Sequence, residues 1–568
     1  MLATAFIARQ LKFLEKPLYL YPGGTIAPLL HECRNAGVEL VVAKAEQGAG
    51  YMAIAEALHS SGPAFVAVTS GPGATNLISC LADAWYDSIP LVAFTGQVGT
   101  ADLSRAATLR QRGFQEVPIL RVAEAITKGC FRPASPEDMA GMIKDAIQLA
   151  CEGRPGPVLL DLPMNIQMLA VAPEQVDAFV PASIPHPSAR ELSTEARIQA
   201  EEVLQMLRNA ERPVLLVGGG CRGKGPLVRA LVERFSLPVL SSIRGLGVLP
   251  TDHPLNAGWI GHTGYPWANK ALLEADMVLA LGSRLDIRQT GNEIAHFTRK
   301  QLIHVDIDEV ELVAGRLPAT MKIHADCGVF LEYLLASQGA AMPDWSEWRT
   351  LLAKFKATMR LGDHGRLAGV APDELLRAVD ARTRNCRSAI VTGVGSHQQW
   401  AMRYFSFADP EKQLYTSAGH GTMGFALPVA LGIKRIDPER LVIAVDGDGS
   451  FQMNLQELAL AKELGLNIKI LLLNNHRLGI VSQFQQITFA DDPTTGDFST
   501  PDFCAIAAAY GVAAWVMESF DTDVVQQWLD EKGPALLHVK IQHDAPVSPM
   551  LLGGQALDAM WYAEGNQP

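Results

Sequence analysis

The sequence predicts an α/β protein of three doubly wound parallel-sheet domains. Three observations lead there. Short aliphatic runs recur along the chain and alternate with helix-like segments, the pattern of parallel strands covered by helices on both faces. At 568 residues the chain exceeds what one hydrophobic core holds. The runs also fall into three groups, separated by a proline-rich stretch and by a polar helical one.

Taken in order, "MLATAFIARQLKFLEK" reads as an amphipathic first helix. It lacks the long apolar core and small-residue cleavage site of a secretory leader, so the expected location is cytoplasmic. The first group, residues 1–172, has strands in "LYLYPGG", "ELVVAK", "AFVAVTSGPG", "PLVAFTG" and "PVLLDLP". A linker with Pro173, Pro181, Pro185 and Pro187 follows. The second group, 188–340, has "PVLLVGGG", "LPVLSS", "MVLALGS", "QLIHVDID" and "TMKIHAD". A polar helical connector over roughly 338–370 leads to the third group, 365–548. Its strands are "AIVTGVG", "QLYTSAG", "LVIAVDG", "IKILLLNN", "AAWVMES" and "PALLHVKI". Three sheets of five or six strands account for the length.

Composition narrows the function. The hydrophobic share of 48% and charged share of 19% are those of a water-soluble globular protein. No apolar run approaches the roughly 18–20 residues of a membrane span. A net charge of −12 argues against a nucleic-acid partner and for small-molecule chemistry. Eight cysteines without a C-x-x-C pair read as buried, reduced side chains.

Two consecutive strands of the third group carry the chemistry. "LVIAVDGDGS" ends in Asp448 between Gly447 and Gly449, and "IKILLLNN" ends in Asn475. Between them, "NLQELALAKELG" reads as a helix capped by Asn454, with Glu457 closing a capping box and Gly465 stopping it. Leu455, Leu458, Ala459 and Leu464 form its apolar stripe. A right-handed crossover of this length brings Asp448 and Asn475 to one carboxyl-end rim, where open α/β sheets bind ligands. A carboxylate, an amide and nearby carbonyls are hard oxygen donors suited to Mg²⁺ rather than zinc. They are too few to fill an octahedron, so phosphate and water oxygens would complete it. Gly447 and Gly449 let the backbone approach a diphosphate, and Ser450 adds a donor. Taken separately, Asp-Gly and Asn-Asn are also common turn signals.

Together, these motifs resemble the thiamine diphosphate fingerprint, and the chain resembles acetolactate (acetohydroxyacid) synthases along nearly its whole length. The resemblance implies a pyrimidine-binding N-terminal domain, a central Rossmann-like domain and a C-terminal domain for diphosphate and Mg²⁺. It implies Asp448, Asn475 and the Arg477 carbonyl as metal ligands, with Ser396 and His397 of "GVGSHQQWA" beside the diphosphate. Glu46 of "AEQGAG" matches the activating glutamate, which hydrogen-bonds the aminopyrimidine and favours its imino form. Such a role calls for a desolvated carboxyl with a raised pKa. Met423 of "GHGTMGFALP" matches the wedge beneath the bent cofactor, and the Gly421 carbonyl the acceptor of its exocyclic amine. From the residues alone, Glu46 reads more often as a solvated helix-start acid, and Met423 as a packed core side chain. In the family the glutamate and the metal site come from different subunits, which implies a homodimer or homotetramer.

"PVLLVGGGCRGKG" fits G-x-G-x-x-G through Gly218, Gly220 and Gly223, although no acid ends the next strand. The longer segments "IGHTGYPWANKALLEADMVLALGSRLDIRQTG" and "IHVDIDEVEL" resemble the flavin-binding region of acetolactate synthases. They imply Arg154, His262, Arg284, Arg288, Asp306 and Asp326 as FAD contacts, with FAD in a structural role.

On the donor side, "YPGG" with Gly24, "VTSGPGATN", "SIPLVAFTGQV" and "GFQE" resemble the family, and Phe114 and Gln115 fall in its catalytic pocket. No His-His pair occurs there, unlike pyruvate decarboxylases, and Glu46 argues against glyoxylate carboligases. The acceptor side departs. "LGIVSQFQQ", with Ile480, has Phe484 where the biosynthetic enzymes carry tryptophan; Met164 replaces a lysine, Ser396 a glutamine, and His420 an apolar residue. Lost ring volume and lost charge suit an acceptor larger and less anionic than a 2-oxo acid. The expectation is therefore a carboligase that decarboxylates pyruvate and transfers the two-carbon unit to a ketone or keto sugar. Alternatives are an acetolactate synthase with pyruvate as acceptor, an FAD-dependent pyruvate oxidase, and a non-catalytic homologue.

Overall fold

The structure, a computed structural model, describes residues 1–60, 62–185, 191–338, 341–362, 368–489, 496–553 and 555–563. The expected boundaries at 188, 340 and 365, and Pro187, lie outside them.

Eighteen strands form three six-stranded parallel sheets. The first contains β1 Leu18–Leu20, β2 Leu40–Val42, β3 Ala64–Val68, β4 Leu91–Gln97, β5 Gly129–Phe131 and β6 Pro157–Pro163. The second contains β7 Pro213–Val217, β8 Val239–Ser241, β9 Asn256–Trp259, β10 Met277–Leu281, β11 Gln301–Asp306 and β12 Met321–His324. The third contains β13 Ser388–Thr392, β14 Lys412–Thr416, β15 Leu441–Gly447, β16 Ile468–Asn474, β17 Ala513–Met517 and β18 Ala535–Lys540. Central strands such as β4, β6 and β16 are buried along their whole length, which is why they read as unbroken apolar runs. The sequence pattern missed β5 and β9. Both lie at a sheet edge, have half-buried residues and lack an aliphatic run.

The order β2-β1-β3-β4-β6-β5 of the first sheet recurs in the third as β14-β13-β15-β16-β18-β17. The middle sheet runs β9-β8-β7-β10-β11-β12, the order of dinucleotide-binding folds. The chain reverses direction of growth between β1 and β3, between β7 and β10, and between β13 and β15, so each sheet has one crevice beyond its carboxyl ends.

Eight helices position the sites: α1 Ala5–Phe13, α2 Glu46–His59, α3 Ile78–Tyr86, α4 Ser346–Thr358, α5 Ser396–Tyr404, α6 Ala426–Ile436, α7 Leu458–Glu463 and α8 Gly479–Phe489. α1 buries Phe6, Ile7 and Leu11 as its amphipathic pattern requires. α2 and α6 pack the first and third units into one shared core. A Cβ on Gly432 would sit 2.6 Å from Ala55 Cβ, so glycine permits that close approach. The described parts of both expected connectors are tied down. Gln10 exchanges two 2.8 Å hydrogen bonds with the backbone of Ala182, docking the proline-rich stretch on the first unit. Trp345 and Trp348, at the start of α4, donate their indole N–H to Ala210 O and Pro213 O and join the middle core. Among the described residues, no helix is long and apolar enough to cross a membrane, and all eight cysteines are free.

Candidate active site

Asp448 follows β15 and Asn475 follows β16, and these strands are adjacent, with Gly447 opposite Leu473. Both side chains therefore stand on one rim, beside the crevice between β13 and β15. From the far side of that crevice, α5 presents Ser396 and His397. A Cβ on Gly479 would lie 2.6 Å from Ser396 Oγ and 3.1 Å from Asn475 Nδ2; one on Gly447 would lie 2.7 Å from His397 Nδ1. Ser396 and Asn475 thus meet across Gly479, and His397 stands over Gly447, the residue before Asp448.

Asp448 is buried, and its Oδ2 has no hydrogen-bond partner. Burial pushes its carboxyl up to about 7, against the pull of the Gly449 and His476 amides. The buried Ser396 Oγ is also without a partner. An orphaned buried carboxylate oxygen beside an amide suits a hard cation, and an orphaned hydroxyl at a helix N-terminus suits an anionic oxygen. Among the described residues, no cluster of three His, Cys, Asp or Glu side chains could hold a metal, so any cation here needs amide, carbonyl and ligand oxygens as well.

The two amides ending β16 divide the labour. Asn474 is structural: its Nδ2 contacts Thr500 Oγ1 and His538 Nε2, and its Oδ1 accepts the His476 amide, turning the chain at His476 (φ 57°). Asn475 is left for the rim, steadied by His543 Nδ1, which donates to its carbonyl at 2.7 Å. The Arg477 side chain points away, to Asp497 and Asp544, and fastens this loop. Ser450 Oγ accepts the Gly424 amide at 2.8 Å, so that hydroxyl braces the Met423 loop. Half-buried Met423 comes within 3.6 Å of where a Cβ on Gly449 would lie.

The helix between the strands corrects the sequence reading. It splits into a 3-10 turn over Leu455–Glu457 followed by α7, and Asn454 donates to Gly424 O rather than capping it. Glu457 makes no capping box; its carboxylate accepts the amide of Lys44. Leu464 is exposed, and Leu460 is buried in its place.

A second cluster lies on the rim of the first sheet. Gly23 and Gly24 follow β1, and Thr25 Oγ1 meets Thr69 Oγ1 at 2.9 Å beyond β3. Half-buried Glu46, the first residue of α2, accepts from Asn76 Nδ2 at 3.1 Å, and a Cβ on Gly73 would sit 3.5 Å from its Oε1. Gln115 (φ 61°) packs on Gly71, where a Cβ would be 2.9 Å from its own. Nothing lies within 4 Å of a Cβ on Gly24, and Phe114 next to Gln115 is 85% exposed. Met164 (40%) and Phe484 (47%) are also large exposed apolar side chains.

The crevice of the middle sheet opens into a cavity of about 960 Å³ that reaches the third unit. Arg154, His262, Arg284, Arg288, Asp306 and Asp326 all line it, as do Gly421, His420 and Ile480. Gly219 and Gly220 form its wall; Gly218 stands behind, where a Cβ would be 2.1 Å from Gly282 O. Arg154 pairs with Asp308 and Glu311 at 3.0 and 2.8 Å and donates to Ser88 Oγ. Burial, with Arg288 and Arg403 near, lowers His262 to about 4. Asp326 caps the following helix by accepting the Gly328 amide at 2.7 Å. His420 stacks on Tyr86, ring centroids 5.7 Å apart.

Three protein families match the chain in series. They are described as "Thiamine pyrophosphate enzyme, N-terminal TPP binding domain" over residues 2–121, the central domain of the same enzymes over 200–334, and their C-terminal TPP binding domain over 393–539. Relatives include the "Probable acetolactate synthase 2, chloroplastic" of Oryza sativa subsp. japonica, 37% identical over 94% of this chain and 82% of that protein. The "Acetolactate synthase large subunit" of Lactococcus lactis subsp. lactis is 36% identical over 96% of this chain and 93% of that protein. The "Acetolactate synthase 1, chloroplastic" of Nicotiana tabacum is 36% identical over 95% and 81%.

The chain belongs to the thiamine diphosphate-dependent, acetolactate synthase-like family. It is a thiamine diphosphate enzyme that forms C–C bonds. In the acetolactate synthase-like frame, the repeated order of the first and third sheets belongs to the two cofactor-binding units. The names of the relatives put the acetolactate synthase alternative ahead of the ketone or keto-sugar acceptor. Three roles in this synthase-like chain escaped the sequence reading: Asn76 on Glu46, Glu457 on Lys44, and Asp87 paired with Arg244. Asn76 had a direct signal, its place in "VTSGPGATN".

Proposed function

We propose that this enzyme decarboxylates pyruvate and joins the resulting two-carbon unit to a second 2-oxo acid, in the first instance another pyruvate. The observation that carries the reading is the buried, partnerless Asp448 oxygen on the rim it shares with Asn475, where Gly479 and Gly447 leave room beside Ser396 and His397. Asp448, Asn475 and the Arg477 carbonyl would hold Mg²⁺, with Gly447, Gly449 and the α5 N-terminus against the diphosphate. Bound there, thiamine diphosphate supplies the electron sink that lets a 2-oxo acid lose CO2. Met423 and the Gly421 carbonyl would hold the pyrimidine, and Glu46 would share a proton with its ring nitrogen. Phe114, Gln115 and Gly24 would line the substrate side.

Glu46 and the open Phe114, Met164 and Phe484 side chains favour sites completed by a second subunit, hence a homodimer or a tetramer of two such dimers. The cavity of the middle unit has the size, the flanking arginines and the strand-end acids to take FAD in a structural role. A larger, less anionic acceptor is the second reading, favoured by the missing cation at Met164 and the smaller ring at Phe484.

The test is product analysis. Purified protein with labelled pyruvate, Mg²⁺ and thiamine diphosphate should release CO2 and yield acetolactate, read by NMR. A product formed only when a ketone or keto sugar is added would select the second reading. Bleaching of bound flavin by pyruvate without oxygen would instead mark an oxidase. Glu46→Gln should slow CO2 release by about a hundredfold or more, the scale of a lost acid–base group.

A further inference from the structure

The helix that carries Glu46 begins without a cap of its own. α2 follows Ala45, whose extended backbone (ψ 162°) has no side-chain acceptor for the first-turn amides. Alanine is among the poorest N-cap residues, and open helix amides need an acceptor when buried. An acceptor for the backbone that enters the helix comes from the third unit. Both oxygens of fully buried Glu457 accept the amide of Lys44, one residue before the N-cap, at 3.0 and 3.2 Å, across 413 positions of sequence. A Cβ on Gly48 would lie 2.1 Å from Glu457 Oε1, so the first turn of α2 is moulded on this carboxylate. Lys44 Nζ reaches both oxygens of Glu463 at 2.7 Å, a second tie between the same two segments. Glu46 stands inside this clamp, its own carboxylate turned to Asn76.

We propose that Glu457 is a positioning residue for Glu46, bracing from the third unit the backbone that enters α2 and so setting where the Glu46 carboxylate stands against the cofactor's pyrimidine. The inference rests on the reading of Glu46 as the activating acid. A carboxylate at a helix N-terminus meets the positive end of the helix dipole, so the contact is directional as well as attractive. Ordinary packing glue between two units would hold them together without fixing the first turn of α2.

Glu457→Gln keeps the volume but turns one acceptor oxygen into an N–H donor facing an N–H. In full-length protein without cofactor, amide hydrogen exchange over residues 44–48 should speed up about tenfold, the size of a lost cap, with residues 50–58 unchanged. With thiamine diphosphate and Mg²⁺ bound, exchange of the cofactor's C2 hydrogen should slow about 10- to 100-fold, as for an ångström-scale misplacement, while cofactor affinity stays within about twofold. Gly48→Ala drives a methyl into the same carboxylate and should give the same signature, which covers a failure of Glu457→Gln to fold. Unchanged exchange at 44–48, or a lower melting temperature with unchanged C2 exchange per folded molecule, overturns the proposal. Glu46→Gln run alongside separates the layers. If it leaves C2 exchange unaltered, the activating role itself fails; if it abolishes exchange while the Glu457 and Gly48 variants behave as wild type, only the positioning role falls.

Discussion

Arg244 and Asp87 pair at 3.0 Å between the middle and first units, their side chains 17% and 5% exposed. The same carboxylate accepts the amides of Ala418 and Gly419 at 3.0 and 2.9 Å, so three units meet on one aspartate. Gly419 has no room for a side chain there, since its Cβ would lie 2.7 Å from that of Tyr86. The loop thus held continues into Gly421 and Met423.

Asp87→Ala should therefore cost more than a surface change. It strands a mostly buried guanidinium and two backbone amides, and breaking such a pair costs about 3–5 kcal/mol. Asp87→Asn keeps an acceptor for one amide and should recover part of the loss. Urea unfolding of both variants checks this; a loss below about 1 kcal/mol for Asp87→Ala, typical of an exposed pair, would refute it.

A second prediction concerns pH. Burial pushes the Glu457 carboxyl from 4.5 up to about 7, outweighing the pull of the Lys44 and Ala45 amides and the Lys44 charge; the Glu463 charge adds to the rise. The folded chain thus holds this proton more tightly than the unfolded one. Its contribution to stability is complete below about pH 4.5 and is lost as pH rises through about 7. Wild type should accordingly lose stability relative to Glu457→Gln across that window. Unfolding midpoints measured from pH 4.5 to 8 give the difference; two parallel curves would reject the shift.

The sequence carried the fold where burial is two-sided and the site where backbone and side chain cooperate locally. Strands such as β15 and β16 read clearly because both faces are covered, and Asp448 stood out because glycines flank it at a strand end. β5 and β9 were illegible because, half-buried at a sheet edge, they carry no aliphatic run. Asn475 was legible as one of a pair, but its division of labour with Asn474 depends on Thr500 and His538, which only the fold brings near. Glu457 and Asp87 act on backbone amides 413 and about 330 positions away, and amides leave no mark in a sequence. The nearest trace is an alanine at the N-cap of α2, which implies an acceptor from elsewhere.

A third prediction tests the middle cavity. Arg288 lines it, and its backbone carbonyl receives the His262 amide at 2.6 Å. Wild-type protein should quench FAD fluorescence on binding. Arg288→Ala, which removes a cation from the wall, should weaken that binding about tenfold or more, the scale of a charge-assisted hydrogen bond. Unchanged far-ultraviolet circular dichroism would show the fold intact. Wild-type protein without any FAD affinity would remove flavin from the reading.

The last prediction addresses the acceptor. Met164 follows β6 at 40% exposure, and Phe484 lies on α8 at 47% with its ring edge-on to Phe489 at 6.1 Å. Neither side chain carries charge, whereas the carboxylate of an acceptor 2-oxo acid gains from a cation nearby, and a larger ring shapes an apolar pocket more tightly. Met164→Lys combined with Phe484→Trp should raise the share of product formed with 2-ketobutyrate over pyruvate about tenfold, within the 10- to 200-fold range of a reshaped pocket. The measurement is competition between the two acceptors at equal concentration, with products resolved by NMR. A ratio that stays put, with total turnover preserved, would mean that these two positions do not meet the acceptor, and the sequence departures there would lose their bearing on specificity.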